Sequence, residues 1–233
     1  MRRVLIFINL VCSTLILSII AILVSLFDRK GELIHGIARF WARIHLYVSG
    51  IKVMIKGIEN IPETPCIFMC NHQSALDIYS LLAKMPISFR WVAKRQLFSI
   101  PFFGWAMKKA GYISLDRENP REAIKAIEVA GKKIKDGTNL VVFPEGTRSK
   151  DGMLLPFKKG VFTLAVRAGV PVVPVGIKGT YRLQPKGCLI PLKKGVIYIN
   201  IGEYVCVLGD SAKEKVRLMD EIKKRIEKLL AQE

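Results

Sequence analysis

A chain of 233 residues with 51% hydrophobic content has enough apolar sequence for the core of one domain with an appendage, and enough besides to suspect a membrane segment. Its 37 Lys+Arg stand against 19 Asp+Glu, a net charge of +18. That excess implies an anionic partner (nucleic acid, an anionic lipid surface, or a phosphorylated or acidic substrate), although solvated lysine faces account for part of it. The five cysteines, at 12, 66, 70, 188 and 206, are odd in number and form no C-x-x-C pair. They argue against a disulfide framework and for a reducing compartment.

Val4–Phe27 carries no charged residue. As a helix it is about 36 Å long, enough to cross a bilayer core. The run is longer than a usual signal-peptide core and no A-x-A-like site follows it, so it reads as a retained anchor. Next, Leu33, Ile34, Ile37, Phe40, Trp41, Ile44 and Tyr47 recur at helical spacing, with Arg39 and Arg43 beside the stripe. This pattern serves an interfacial amphipathic helix and a core-packed helix equally well. His35 and His45 show no partner and read as incidental. Basic residues flank the first segment on both sides (Arg2 and Arg3; Arg29 and Lys30), which leaves the positive-inside rule undecided and fits a hairpin held in one leaflet. Residues 1–49 thus read as membrane-associated helices, and 50–233 as a globular domain.

From residue 50, short β-rich runs alternate with helical stretches. The strands expected are Val53–Ile55, Cys66–Met69, Phe89–Val92, Tyr112–Leu115, Leu140–Phe143, Val172–Ile177, Val196–Ile201 and Tyr204–Leu208. The helices expected are Leu76–Lys84, Gly104–Ala110, Arg121–Lys135, Gly160–Ala168 and Ala212–Leu230. Such alternation predicts an α/β domain with a mostly parallel or mixed central sheet flanked by helices. Phosphate loops, dinucleotide fingerprints, the G-x-S-x-G elbow and nucleic-acid modules have no signature here.

"NHQSALD" follows the run "PCIFMC". Ser74 and Asp77 stand at capping-box spacing, and His72 and Asp77 are equally a candidate catalytic pair. Five positions apart, they do not share a helix face. They meet only with His72 in the loop and Asp77 in the first helical turn. Two weaker readings use Cys70 as a thiol nucleophile for His72, or Cys66, Cys70 and His72 as a metal cluster. Alternation in "PCIFMC" favours buried, inert cysteines over both.

Two distant stretches bear on the choice. "FPEGTRS", Phe143 to Ser149, ends a strand in a turn that presents Thr147 and Arg148, with Lys158 and Lys159 downstream. A guanidinium fork suits phosphate. "GYISLDR", Gly111 to Arg117, is another strand ending in an arginine. Strand ends carrying His/Asp, Arg and Glu-Gly-Thr-Arg belong at one edge of a parallel sheet, where ligands bind in open α/β folds.

Together these stretches resemble the glycerolipid acyltransferase family, and within it the 1-acylglycerol-3-phosphate (lysophosphatidic acid) acyltransferases. Asn71, His72 and Asp77 match the family's N-H-x-x-x-x-D motif. Gly111 and Arg117 match its Gly-to-Arg strand, "FPEGTRS" matches without change, and "GVPVVPV" with Pro171 and Pro174 matches its fourth motif. "VAKRQLFSIPFFG" is also similar, and the resemblance covers roughly residues 50 to 205. The departure is Leu115-Asp116 before Arg117, which leaves the role of Asp116 open.

The resemblance implies transfer of an acyl chain from a thioester, of acyl-carrier protein or coenzyme A, to the sn-2 hydroxyl of lysophosphatidic acid, forming phosphatidic acid in phospholipid biosynthesis. His72 and Asp77 are then catalytic. An alcohol needs a general base near neutral pH, and histidine suits that task when a carboxylate holds its tautomer. The implied substrate-binding set is Asn71, Lys94, Arg117, Glu145, Gly146, Thr147 and Arg148. Arg148, Arg117 and Lys94 go to the phosphate, and Glu145 organises the loop or orients these cations. Oxyanion donors are expected from backbone N–H groups at the helix start or at Gly146. Pro171 and Pro174 shape a strand end. The chemistry requires no metal or cofactor. The implied partners are the lysolipid, an anionic bilayer surface and the thioester donor, not nucleic acid, with the catalytic domain at the cytoplasmic face of a membrane. Two other readings remain: an acyltransferase for another lysolipid or glycerol-3-phosphate, and a non-catalytic basic scaffold that binds anionic membranes.

Overall fold

The computed structural model describes residues 1–116 and 119–232. A strand buried on both faces needs a near-continuous apolar run, and β2 (Ile67–Cys70) is buried along its whole length. Alternation sorts its side chains. Phe68 and Cys70 enter the core under α2 (Glu32–Ser49) and α3 (Leu76–Lys84); Ile67 and Met69 enter the core under α5 (Pro120–Lys135), α6 (Lys159–Ala168) and α8 (Ala212–Ala231). The remaining strands are β1 (Ile51–Lys56), β3 (Arg90–Lys94), β4 (Ile113–Leu115), β5 (Leu140–Val142), β6 (Val172–Lys178) and β7 (Gly195–Ile201). The sheet order is β1-β7-β6-β2-β5-β3-β4. β6, β2, β5, β3 and β4 run parallel, β7 pairs antiparallel with β6, and β1 pairs parallel with β7. Five strands therefore end at one edge, and that edge carries His72.

The expected mixed α/β sheet flanked by helices is what folds, with one strand lost. Tyr204–Leu208 is reduced to a single bridge, Val205 to Val172. β7 pairs Ile201 with Val175, so Val205 opposite Val172 is one residue out of register, and the ladder is broken by a bulge at 202–204. Pro174, which has no N–H to offer, sits beside that break and accepts from Gly202 N at 2.9 Å, where a strand tolerates proline. The short helix α7 (Thr180–Leu183) lacked a sequence signal.

α1 (Arg2–Val24) is long and apolar enough to cross a membrane. Only Ile6, Ser18 and Ala21 are buried along it; Leu15, Ile16, Ile19 and Leu23 are among the many apolar side chains left uncovered. Membrane association requires such a face. α2 is built into the main core through Ala42 and Leu46, which lie beside the expected stripe; of the stripe itself Ile34 is buried, while Leu33, Phe40 and Tyr47 stay exposed. Its arginines have partners inside the protein. Arg39 donates to Met85 O at 2.5 Å and Arg43 to Ala83 O at 3.3 Å, serving the open carbonyls at the C-terminus of α3. Nor is His35 without a partner: Nδ1 lies 3.0 Å from Tyr112 Oη. α4 (Phe103–Lys109) packs on α1 through Ala106.

Candidate active site

β2 delivers Asn71 and His72 to the edge where the parallel strands end. Asn71 is buried, and its amide clamps β6: Oδ1 accepts from Ile177 N at 2.7 Å and Nδ2 donates to Ile177 O at 3.0 Å. The chain then leaves the sheet. His72 Nδ1 lies 2.8 Å from Asp77 Oδ2. Asp77 is fully buried, and the same oxygen accepts from Gln73 N at 2.7 Å and Ser74 N at 2.8 Å. Ser74 Oγ accepts from Leu76 N at 3.1 Å and donates to Gln184 O at 2.7 Å. Capping and pairing are thus one construction. A first-turn carboxylate reaches back over the helix start, and the histidine in the loop closes onto it. With Nδ1 donating to the carboxylate, Nε2 is the ring nitrogen available to accept a proton, and the side chain keeps 13% of its exposure.

β5 delivers the second part. His72 N donates to Glu145 Oε1 at 2.6 Å, and Leu155 N donates to Oε2 at 2.9 Å. Ser149 N donates to His72 O at 2.9 Å. Both backbone groups of His72 are therefore held by the segment "FPEGTRS". The Phe143 ring stacks on the imidazole with centroids 3.9 Å apart, and Trp91 stacks behind Phe143 at 5.6 Å. Gly146 has φ 71, and its N–H closes the turn onto Phe143 O at 3.0 Å, a backbone conformation suited to glycine. Burial pushes the Glu145 carboxyl up to about 7 despite its two N–H partners, and the nearby Asp77 charge adds to the shift.

These placements revise the expected substrate-binding set. Asn71 and Glu145 are buried with both side-chain ends committed to backbone; they position His72 and do not face a ligand. Among the described residues, Glu145 pairs with none of the expected cations. Gly146 supplies the turn. Its N–H, with those of His72, Gln73, Ser74 and Leu76, is already bonded within the protein, so these five groups are not free oxyanion donors in this arrangement. Thr147 is exposed and Arg148 half-buried. Trp91 pairs with Val141, so Lys94, exposed at the end of β3, stands past the last residue of β5 on the same edge. Arg117 lies outside the described residues. Asp116 pairs with Arg95 at 2.9 Å, which gives the motif departure a partner. Burial pushes the Cys66 thiol up to about 12 and the Cys70 thiol well above its ordinary value, the latter helped by Asp77. Neither is poised as a thiolate. Among the described residues no three His, Cys, Asp or Glu side chains converge as a metal site.

Sequence reasoning missed Lys186. Its Nζ donates to Thr147 Oγ1 at 3.0 Å and to Arg148 O at 3.0 Å. A lone lysine in the loop "QPKGC" carries no motif, and only the fold brings it to residues 38 and 39 positions away.

Comparison with known proteins gives a consistent set of relatives. The family profile described as Acyltransferase matches residues 52–178. A chloroplastic 1-acyl-sn-glycerol-3-phosphate acyltransferase of Brassica napus is 42% identical over 201 residues, covering 83% of this chain and 58% of that protein. Its counterpart in Arabidopsis thaliana is 40% identical, covering 83% and 56%. The chain thus spans somewhat more than half the length of these curated relatives. The crystal structure of the 1-acyl-sn-glycerophosphate acyltransferase PlsC from Thermotoga maritima superposes with a TM-score of 0.78 at 29% identity, covering 100% of this chain and 99% of that one.

Proposed function

Because the chain belongs to the acyltransferase family, we propose that it transfers an acyl chain from a coenzyme A or acyl-carrier-protein thioester to the sn-2 hydroxyl of 1-acylglycerol-3-phosphate, making phosphatidic acid. The observation that carries this reading is the 2.8 Å contact of His72 with Asp77, in a loop whose backbone is held by "FPEGTRS". His72 Nε2 takes the proton of the acceptor hydroxyl as its oxygen attacks the thioester carbonyl carbon. The buried Asp77 carboxylate balances the imidazolium so formed. Collapse of the tetrahedral intermediate expels the thiolate, which recovers the proton from His72. Arg148 and Lys94 take the phosphate, Arg148 with a fork that matches two of its oxygens. The relatives' acceptor, 1-acyl-sn-glycerol-3-phosphate, supports a phosphate-bearing lysolipid.

The uncovered face of α1 supports placing the site at a membrane, where the lysolipid lies. The +18 charge suits an anionic leaflet. Five free cysteines fit the reducing, cytoplasmic side.

The test is a panel. The full chain is assayed with labelled acyl thioesters of both carriers against lysophosphatidic acid, glycerol 3-phosphate and a lysophospholipid with a substituted headgroup. Lysophosphatidic acid is the acceptor expected, and His72→Ala is expected to abolish transfer. Turnover that survives His72→Ala overturns the mechanism, and preference for another acceptor overturns the substrate.

A further inference from the structure

We infer that Lys186 is a specificity-determining residue that completes the cationic group receiving the acceptor's phosphate. The inference rests on the proposed transfer to a phosphate-bearing acceptor. Lys186 lies between α7 and β7, in a loop fixed at the same point as the catalytic helix: Ser74 Oγ donates to Gln184 O at 2.7 Å, and Gln184 Nε2 donates to Cys188 O at 3.0 Å. α7, which leads into this loop, packs on the segment after "FPEGTRS", since a Cβ on Gly152 would meet the Tyr181 ring at 2.9 Å. From this base Nζ reaches Thr147 Oγ1 and Arg148 O.

Neither of these two partners carries a charge. An ammonium has three donors, and the two bonds leave one. The bond to Thr147 has a directional consequence. Its hydroxyl oxygen is occupied as an acceptor, so its proton is left to donate to an incoming anion. The bond to Arg148 O pins the backbone from which the guanidinium extends. Lys186 thereby sets two phosphate donors and adds a positive charge beside them, on a surface where Thr147 is exposed and Arg148 half-buried. A phosphate monoester can exploit all three groups; an acceptor ending in a bare hydroxyl can exploit none.

The experiment compares kcat/KM for lysophosphatidic acid with that for the monoacylglycerol of the same chain, which lacks only the phosphate. Wild type, Lys186→Met and Lys186→Arg are measured as full chains. Lys186→Met is expected to lower the ratio of the two by about tenfold or more, the size of one charge-assisted hydrogen bond, chiefly through KM for lysophosphatidic acid. Lys186→Arg, which keeps charge and donors, is expected to recover most of the ratio. A Lys186→Met protein that keeps the wild-type ratio overturns the inference, even where both rates fall, because such a fall marks loop support alone. A wild type with no preference for the phosphate overturns both this inference and the acceptor reading; a preference undiminished in Lys186→Met overturns this inference only.

Discussion

The imidazole of His72 lies flat on the ring of Phe143, with centroids 3.9 Å apart and planes 13° from parallel. One edge of the imidazole is held by Asp77, one face by Phe143, and Phe143 is backed by Trp91. A hydrogen bond alone fixes direction but leaves rotation about it; the stacked ring removes that freedom. Phe143→Leu is expected to lower kcat roughly three- to tenfold, in line with the ~0.5–1.5 kcal/mol of an aromatic pair, with acceptor KM within about twofold. Phe143→Tyr is expected to retain most of kcat. Steady-state kinetics on the three proteins decides it: equal kcat in wild type and Phe143→Leu leaves the ring no positioning role.

Asp77 Oδ2 receives three donors, from His72 Nδ1, Gln73 N and Ser74 N. Asp77→Asn keeps the shape but withdraws the charge and can turn an amide toward the same N–H groups. Two losses are expected together. kcat falls on the order of a thousandfold, because the tautomer and the imidazolium both lose their partner. Stability falls by about 1–3 kcal/mol, because buried donors lose a charged acceptor. Activity assays with chemical denaturation test the pairing. A stable Asp77→Asn protein that is merely inactive means that the cap is separate from the catalytic pair.

The elements legible in the sequence are those set by local pattern. α3 was expected at Leu76–Lys84 and forms there, because its apolar spacing and its start signals agree. The failures are long-range. Glu145 reads as an acidic residue beside basic ones, yet it serves His72 N across 73 positions of sequence. Arg39 and Arg43 have the look of interfacial cations, yet they serve Met85 O and Ala83 O at the C-terminal end of α3. Tyr204–Leu208 has strand composition, but the bulge at 202–204 leaves it one bridge. In each case the deciding partner comes from a distant element, which residue type and spacing do not encode.

α1 leaves Ile8 and Ile16 about half exposed, on a helix whose burial in the protein is slight. Aspartate at both positions removes little packing but sets two charges in hydrocarbon, at about 2.5–3.5 kcal/mol each near a bilayer centre. The Ile8→Asp, Ile16→Asp protein is expected to leave anionic vesicles in a flotation assay that retains the wild type, with its thermal midpoint within a few degrees. Equal flotation of both proteins overturns lipid contact by this face.

Glu145 gives a pH dependence with a definite sign. Its carboxyl rises from 4.5 to about 7 through burial first and the Asp77 charge after it, against two N–H bonds. Between those values the folded chain holds more of this proton than the unfolded chain, so stability falls as pH rises. The contribution is fully present below about 4.5 and gone above about 7, and it amounts to a few kcal/mol (~1.4 kcal/mol per pH unit). His35 and His45, held by burial near 3 and 4, act in the opposite direction, losing stability as pH falls below the ordinary histidine range. Glu145→Gln leaves those two terms in place and removes only the first. The midpoint of Glu145→Gln relative to wild type is therefore expected to improve steadily from pH 5 to pH 7 and then level off, even where the amide, facing two N–H donors with one oxygen, costs stability at every pH. Thermal melts of both proteins across that range test it, and a difference that stays flat means that Glu145 is ionised in the fold well below pH 7.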